Sequence, residues 1–234
     1  MNYLKLNRFS HHLQVSFARL NVICRSLYKL CAPDELKYRK NIDQVKISDS
    51  SILAMLIWQT EIGIESQRRF CKFFVGLSHS RFNRRARMLL PLMRCIRQDW
   101  NQEVKTAGEF LIIDSFPVPV CQPIRNYRVK IFRGISDIGY KATKKIYYYG
   151  FKVHAIVSDD GYVLWTPYRR NMKGAKKHND HQLMAIRRTI ESDFSLLSYY
   201  NAENNWARSL AGFQQRLEIA ILAYNIAYCL ERFN

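Results

Sequence analysis

Phe110-Leu111-Ile112-Ile113-Asp114-Ser115-Phe116-Pro117-Val118-Pro119 divides the chain into two kinds of local pattern. Residues before it read helical, and strand formers gather only after it. Four consecutive apolar residues, 110–113, are the pattern of a strand buried on both faces. The reading ends that strand at Asp114-Ser115-Phe116, because Pro117, Pro119 and Pro123 lack the amide hydrogen a ladder needs. An ionised aspartate directly after Leu-Ile-Ile is costly unless a metal ion or a partner offsets it. Asp114 is therefore the first candidate catalytic and metal-ligating residue. The alternative is a capped turn carboxylate beside Ser115.

Upstream, apolar side chains recur at three-to-four spacing in Leu13, Val15, Phe17, Leu20, Val22, Ile23 and Leu27. Ser48-Asp49-Ser50 reads as a helix cap before Ile52-Leu53-Met55-Leu56-Ile57-Trp58. A second cap, Ser78 or Ser80, precedes a helix whose first turns are crowded by Arg81, Arg84 and Arg85. Those cations oppose the helix dipole, an arrangement that suits a phosphate. The alternative is a solvated arginine face.

Downstream, an irregular basic stretch holds Arg125, Arg128, Lys130, Arg133, Lys141, Lys144 and Lys145 against one acid, Asp137. A long strand follows over Ile146–Val157, rich in tyrosine and β-branched residues. Asp159-Asp160-Gly161 signals a hairpin turn, and Tyr162–Thr166 begins a return strand stopped by Pro167. A second basic loop carries Arg169, Arg170, Lys173, Lys176 and Lys177. Asp180 caps a helix over 181–199 that places Arg187, Glu191 and Ser198 on one stripe. The segment Phe213–Leu230 reads as an amphipathic packing helix.

Charge narrows the choice of partner. The 234 residues carry 37 Lys plus Arg and 19 Asp plus Glu, a formal charge of +18. Residues 1–108 hold 19 basic and 8 acidic side chains, and residues 115–190 hold 15 and 4. A polyanion is the natural partner of such a field, and nucleic acid the first choice. A hydrophobic content of 48 % excludes a disordered basic tail. The longest apolar run, around 51–58, falls short of the roughly 20 residues that span a bilayer. The first residues lack the pattern of a signal peptide, so the expectation is a soluble protein of the cytoplasm. Six cysteines without a CxxC pair read as free thiols in a reducing compartment. His178 and His181 read as part of a solvated helix start, with metal ligation as the alternative.

Several strings resemble the DDE transposases of bacterial insertion sequences, in particular insertion-sequence family 982. They are Leu111–Cys121, Tyr149-Gly150-Phe151-Lys152-Val153-His154-Ala155, Thr166–Met172 and Ala207–Gln214. The resemblance implies an α/β chain, with a helical DNA-binding region over 1–108 and an RNase H-like domain (a mixed sheet with flanking helices) over 109–234. It implies a Mg²⁺ cofactor held by three acids, DNA as partner through terminal inverted repeats, a homo-oligomer, and a place at the bacterial nucleoid. Asp114 matches the first acid and Glu191 the third.

The string expected around the second acid, Asp-x-Gly-Tyr, is missing near 163–164, so the RNase H-like domain reads as shortened. Asp159 and Asp160, on the strand expected beside 110–114, lie by this reading about 30 Å from Asp114. Asp137 remains the least remote substitute. The resemblance then implies a copy that keeps DNA affinity, through Arg81, Arg84, Arg85, Arg125, Arg128, Lys130, Arg133, Lys144, Lys145, Arg169, Arg170, Lys173 and Arg187, and has lost strand cleavage and transfer. The alternatives left open are a relic that regulates a full-length transposase, and an active enzyme with a replacement acid.

Overall fold

The computed structural model describes residues 15–107, 110–142, 144–159, 195, 197–203, 205 and 207–232. The chain divides into two compact units. One gathers the described residues up to Asp99 with Tyr200–Ala202 and those from Ala207 onward; the other holds those of Trp100–Tyr199 with Glu203 and Asn205.

The first unit is helical: α1 (Phe17–Cys31), α2 (Asp34–Lys37), α3 (Asp49–Glu61), α4 (Gln67–Phe74), α5 (His79–Met88), the start of α6 (Leu90–Ala107) and α7 (Leu210–Arg232). Serine caps set the starts. Ser16, Ser48, Ser66 and Ser78 each accept from the amide three residues on, as Ser48 Oγ does from Ser51 N at 3.1 Å. Of the two expected caps on α5, Ser78 is the one used. Helix α3 is apolar around its circumference and buries Ile52, Leu53, Ala54, Leu56 and Ile57. It is accordingly the central helix, packed on α1, α5 and α7. A fork from Arg97 Nε and Nη2 to the Glu218 carboxylate, at 2.8 and 3.0 Å, ties α6 to α7. The hydrogen bond to Glu218 holds the Arg97 guanidinium above its usual pKa. The sequence reading assigns the closing helix to the second domain, whereas α7 packs with the helical unit.

Cys24, Cys31, Cys71, Cys95 and Cys121 are free thiols, all buried but Cys95. Burial pushes the Cys24 thiol up to about 12, so it stays protonated and inert. No described helix is long and apolar enough to cross a membrane.

The second unit is built on a sheet of three strands, β1 (Phe110–Pro119), β2 (Asp137–Lys141) and β3 (Ile146–Asp159), in the order β1-β3-β2. Both pairings are antiparallel; the return strand expected over 162–166 lies outside the described residues. β1 pairs with β3 from Phe110↔Asp159 to Pro119↔Gly150, and β2 with β3 from Asp137↔Gly150 to Lys141↔Ile146.

Two expectations need correction. β1 does not stop at Phe116; it stays paired through both prolines. Val120 N donates to Tyr149 O at 3.0 Å, so even-numbered amides face β3. Pro117 and Pro119, two apart, therefore turn their hydrogen-free nitrogens to the outer edge, where no ladder bond is lost. The basic stretch is also not wholly irregular, since β2 lies within it. Gly139 makes the β2–β3 hairpin fit, and Gly150 lets β1 lie close against β3. A Cβ on Gly139 would strike the Tyr148 ring, and one on Gly150 would run into the Val118 carbonyl oxygen. Any side chain at Gly150 would force β1 away from β3.

Candidate nucleic-acid interface

Helices α4 and α5 are joined by four residues, Val75–Ser78, and held together from within. Phe70 and Phe82 are fully buried with ring centroids 6.2 Å apart, and Phe74 stacks on Phe70 at 5.4 Å. With Phe70, Cys71, Phe82 and Ala86 turned inward, the cations face out. Arg68, Arg69 and Lys72 on α4, and Arg81, Arg84 and Arg87 on α5, are exposed. His79, Ser80, Asn83, Arg84, Arg87 and Met88 line an open hollow of about 510 Å³ along α5. The first turn of α5 holds no acid, so the partial positive charge of its N-terminus adds to the arginines.

Arg85 behaves otherwise. Its guanidinium reaches Asp49 Oδ1 at 2.6 Å, while Arg39 Nη1 holds Asp49 Oδ2 at 2.7 Å. The side chains are 11 % (Arg85), 16 % (Arg39) and 1 % (Asp49) exposed. Arg85 is therefore spent on fixing α5 to the start of α3. Burial, and next the Asp49 charge, keep the nearby Tyr28 phenol above its usual range. Arg68, Arg69, Lys72 and Arg87 were not among the residues expected to bind. The i, i+3 spacing of Arg81, Arg84 and Arg87 was the signal for the last of them.

In the sheet unit, the segment 121–136 folds over one face of the sheet and is pinned by Asn126, only 4 % exposed. Its Nδ2 donates to Tyr147 O at 2.9 Å, and its Oδ1 accepts from Tyr149 N at 3.1 Å. A side-chain amide here continues the β3 pairing beyond the end of β1. Further anchors are the Phe132 ring against Phe151 at 5.3 Å and the Tyr149 hydroxyl, which donates to Ile131 O at 2.9 Å. Fastened this way, the segment presents Arg125, Arg128, Lys130 and Arg133 to solvent, and the β2–β3 turn presents Lys144 and Lys145. Lys141, by contrast, is paired with Glu203 at 3.1 Å.

Asp114 sits in the middle of β1, opposite Ala155 of β3, rather than at a strand end. Residues 105–167 match the transposase DDE domain family. The DDE match covers just over a quarter of the chain and contains all three strands and Asp114. Neither the curated proteins nor the solved structures contain a match to this chain.

Within the matched segment, the β ladder fixes the spacing of the acids from Asp114. Asp159 lies opposite Phe110, four residues from Asp114 along the ladder, so their backbones are about 14 Å apart. That replaces the larger separation expected from a strand ending at Asp114. Asp137 lies opposite Gly150, two strands over and five residues along, about 19 Å away. Ligands of one magnesium ion sit about 2.1 Å from it, so neither backbone position suits an ion shared with Asp114. Among the described residues no cluster of three His, Cys, Asp or Glu side chains could hold a metal ion. Glu191, Asp160, Asp180, Asp193, His178, His181, Arg169, Arg170, Lys173 and Arg187 lie outside the described residues.

Proposed function

We propose that this chain is a DNA-binding derivative of an insertion-sequence transposase, of the family 982 type, whose RNase H-like domain is internally shortened. The observation that carries this reading is the coincidence of a transposase DDE match with two cation-bearing surfaces, one in each unit. The pairing of β1 with β3 supports it, since an RNase H-like core starts from antiparallel strands. DNA, in the form of transposon terminal repeats, is the partner, and binding as a homo-oligomer at the nucleoid belongs to the same reading. Retained binding without cutting would let the chain compete with a full-length relative for its ends.

Magnesium chemistry is where this chain departs from its relatives. In DDE enzymes Mg²⁺ activates water and then a 3′-hydroxyl, held by three acids. Asp114 and Glu191 match the first and third of these, and neither Asp137 nor Asp159 has a backbone position that fits the second. We therefore assign the chain no strand cleavage or transfer.

The test is the salt dependence of its affinity for a duplex of about 30 base pairs, read by fluorescence anisotropy. Phosphate neutralisation by six or more cations predicts a thousandfold or greater loss of affinity, on the order of 10³–10⁵, between about 50 and 200 mM salt. Asp114→Asn should leave that curve unchanged. A flat salt response, or no binding at low salt, would count against the reading.

A further inference from the structure

Beyond the cations, the sheet unit exposes aromatic rings. Tyr140 of β2 and Tyr147 of β3 are direct cross-strand partners, with ring centroids 4.9 Å apart and planes tilted by 48°. They are 53 % and 58 % exposed, against 7 % for Tyr149 two residues along the same face. The difference has a cause. The segment 121–136 covers the sheet as far as Tyr149, whose hydroxyl it engages at Ile131 O, and leaves the next pair open. Beyond their contact with each other, the two uncovered tyrosines leave apolar ring surface in water, available to a ligand.

The surroundings say what kind of ligand. Lys144 and Lys145 close the turn between the two tyrosines and are exposed, Lys145 with a left-handed φ of 51°. Arg125 and Arg128 are exposed on the segment that Asn126 fastens to the backbone of Tyr147 itself. Asp137 is the one acid between residues 115 and 158. Flat π surfaces amid cations suit a polymer with both stacking faces and phosphates. In a duplex the base faces are covered by their neighbours, whereas in a single strand they are free. We propose that the Tyr140–Tyr147 pair is a stacking platform for unpaired bases, with the Lys144-Lys145 turn holding the adjoining phosphates of a single-stranded nucleic acid. This deepens the DNA-binding reading above and rests on it; it adds a preference for melted or single-stranded DNA in the sheet unit.

The experiment uses the full chain with a fluorescent oligo-dT of about 20 nucleotides and a duplex of the same length, in the same buffer. Tyr140→Leu with Tyr147→Leu should weaken single-strand affinity about tenfold or more and leave duplex affinity within about twofold. Tyr140→Phe with Tyr147→Phe keeps the rings and should retain single-strand binding. Melting curves of both variants check that the fold is kept. The inference is overturned if the leucine variant binds oligo-dT as well as the parent does, if it loses duplex binding equally, or if the phenylalanine variant is as weak as the leucine one. Duplex binding together with oligo-dT binding that the leucine substitutions leave unchanged would sink the platform and spare the DNA-binding reading. No binding to either probe would sink both.

Discussion

Replacing Asp49 with alanine lowers the stability of the helical unit by about 3–5 kcal/mol in urea unfolding of the full chain. The reason is the state of what remains. Arg39 and Arg85 converge on Asp49 at 2.7 and 2.6 Å, and all three side chains are largely removed from water. Deleting the carboxylate leaves two buried cations facing each other with nothing to offset them. Keeping charged groups away from water is tolerable only while their hydrogen bonds are made. Arg85 Nε is already buried without a hydrogen-bond partner, so little slack exists around the cluster. The carboxylate also lies in the first turn of α3, where the helix dipole favours a negative charge. An exposed ion pair would be worth at most about 1 kcal/mol. A loss that small would show that the triad is solvated in the working protein. Because Arg85 belongs to α5, the same substitution should also loosen the helix that carries Arg81, Arg84 and Arg87.

Those three arginines give the second large effect. Replacing Arg81, Arg84 and Arg87 together with alanine should lower duplex affinity by about a hundredfold at about 0.15 M salt. The slope of log affinity against log salt should become shallower by about 2.7, near 0.9 for each phosphate that is no longer neutralised. All three are exposed, so the melting curve should barely move. This separates them from Arg85, whose removal would change stability first and affinity only through it. A triple variant with the parent's salt slope would place the DNA elsewhere on the chain.

How far the sequence disclosed this arrangement depends on the length of each signal. The serine caps and the all-apolar run of α3 are local and strong, and the helices begin where Ser48 and Ser78 place them. The long tyrosine-rich strand over 146–157 is found as β3, Ile146–Asp159. β2 escaped because it is five residues long, keeps Ile138 and Tyr140 exposed, and is interrupted by Gly139. Ile138 and Tyr140 do alternate with their neighbours, but over too few residues to stand out from the basic stretch around them. The prolines misled through their number rather than their spacing. A separation of two puts both on one edge, where proline does no harm.

Arg85 was legible in principle. It stands three residues after Phe82 and four before Leu89, both fully buried, which places it beside the inner face of α5. What no local pattern could supply is its partner, Asp49, 36 residues earlier in the chain. The Asn126 anchor is illegible for the same reason, since its worth depends on a partner strand, β1, that ends before Tyr147 is reached.

Metal-dependent nicking of supercoiled DNA separates a chain that holds DNA without cutting it from one that cuts. With the full chain in excess and Mg²⁺ or Mn²⁺ present, DNA should be retained in a mobility shift while remaining unnicked, identically for the parent and for Asp114→Asn. Nicking that requires the metal and vanishes in Asp114→Asn would overturn this, because it would mean that other acids complete the site with Asp114.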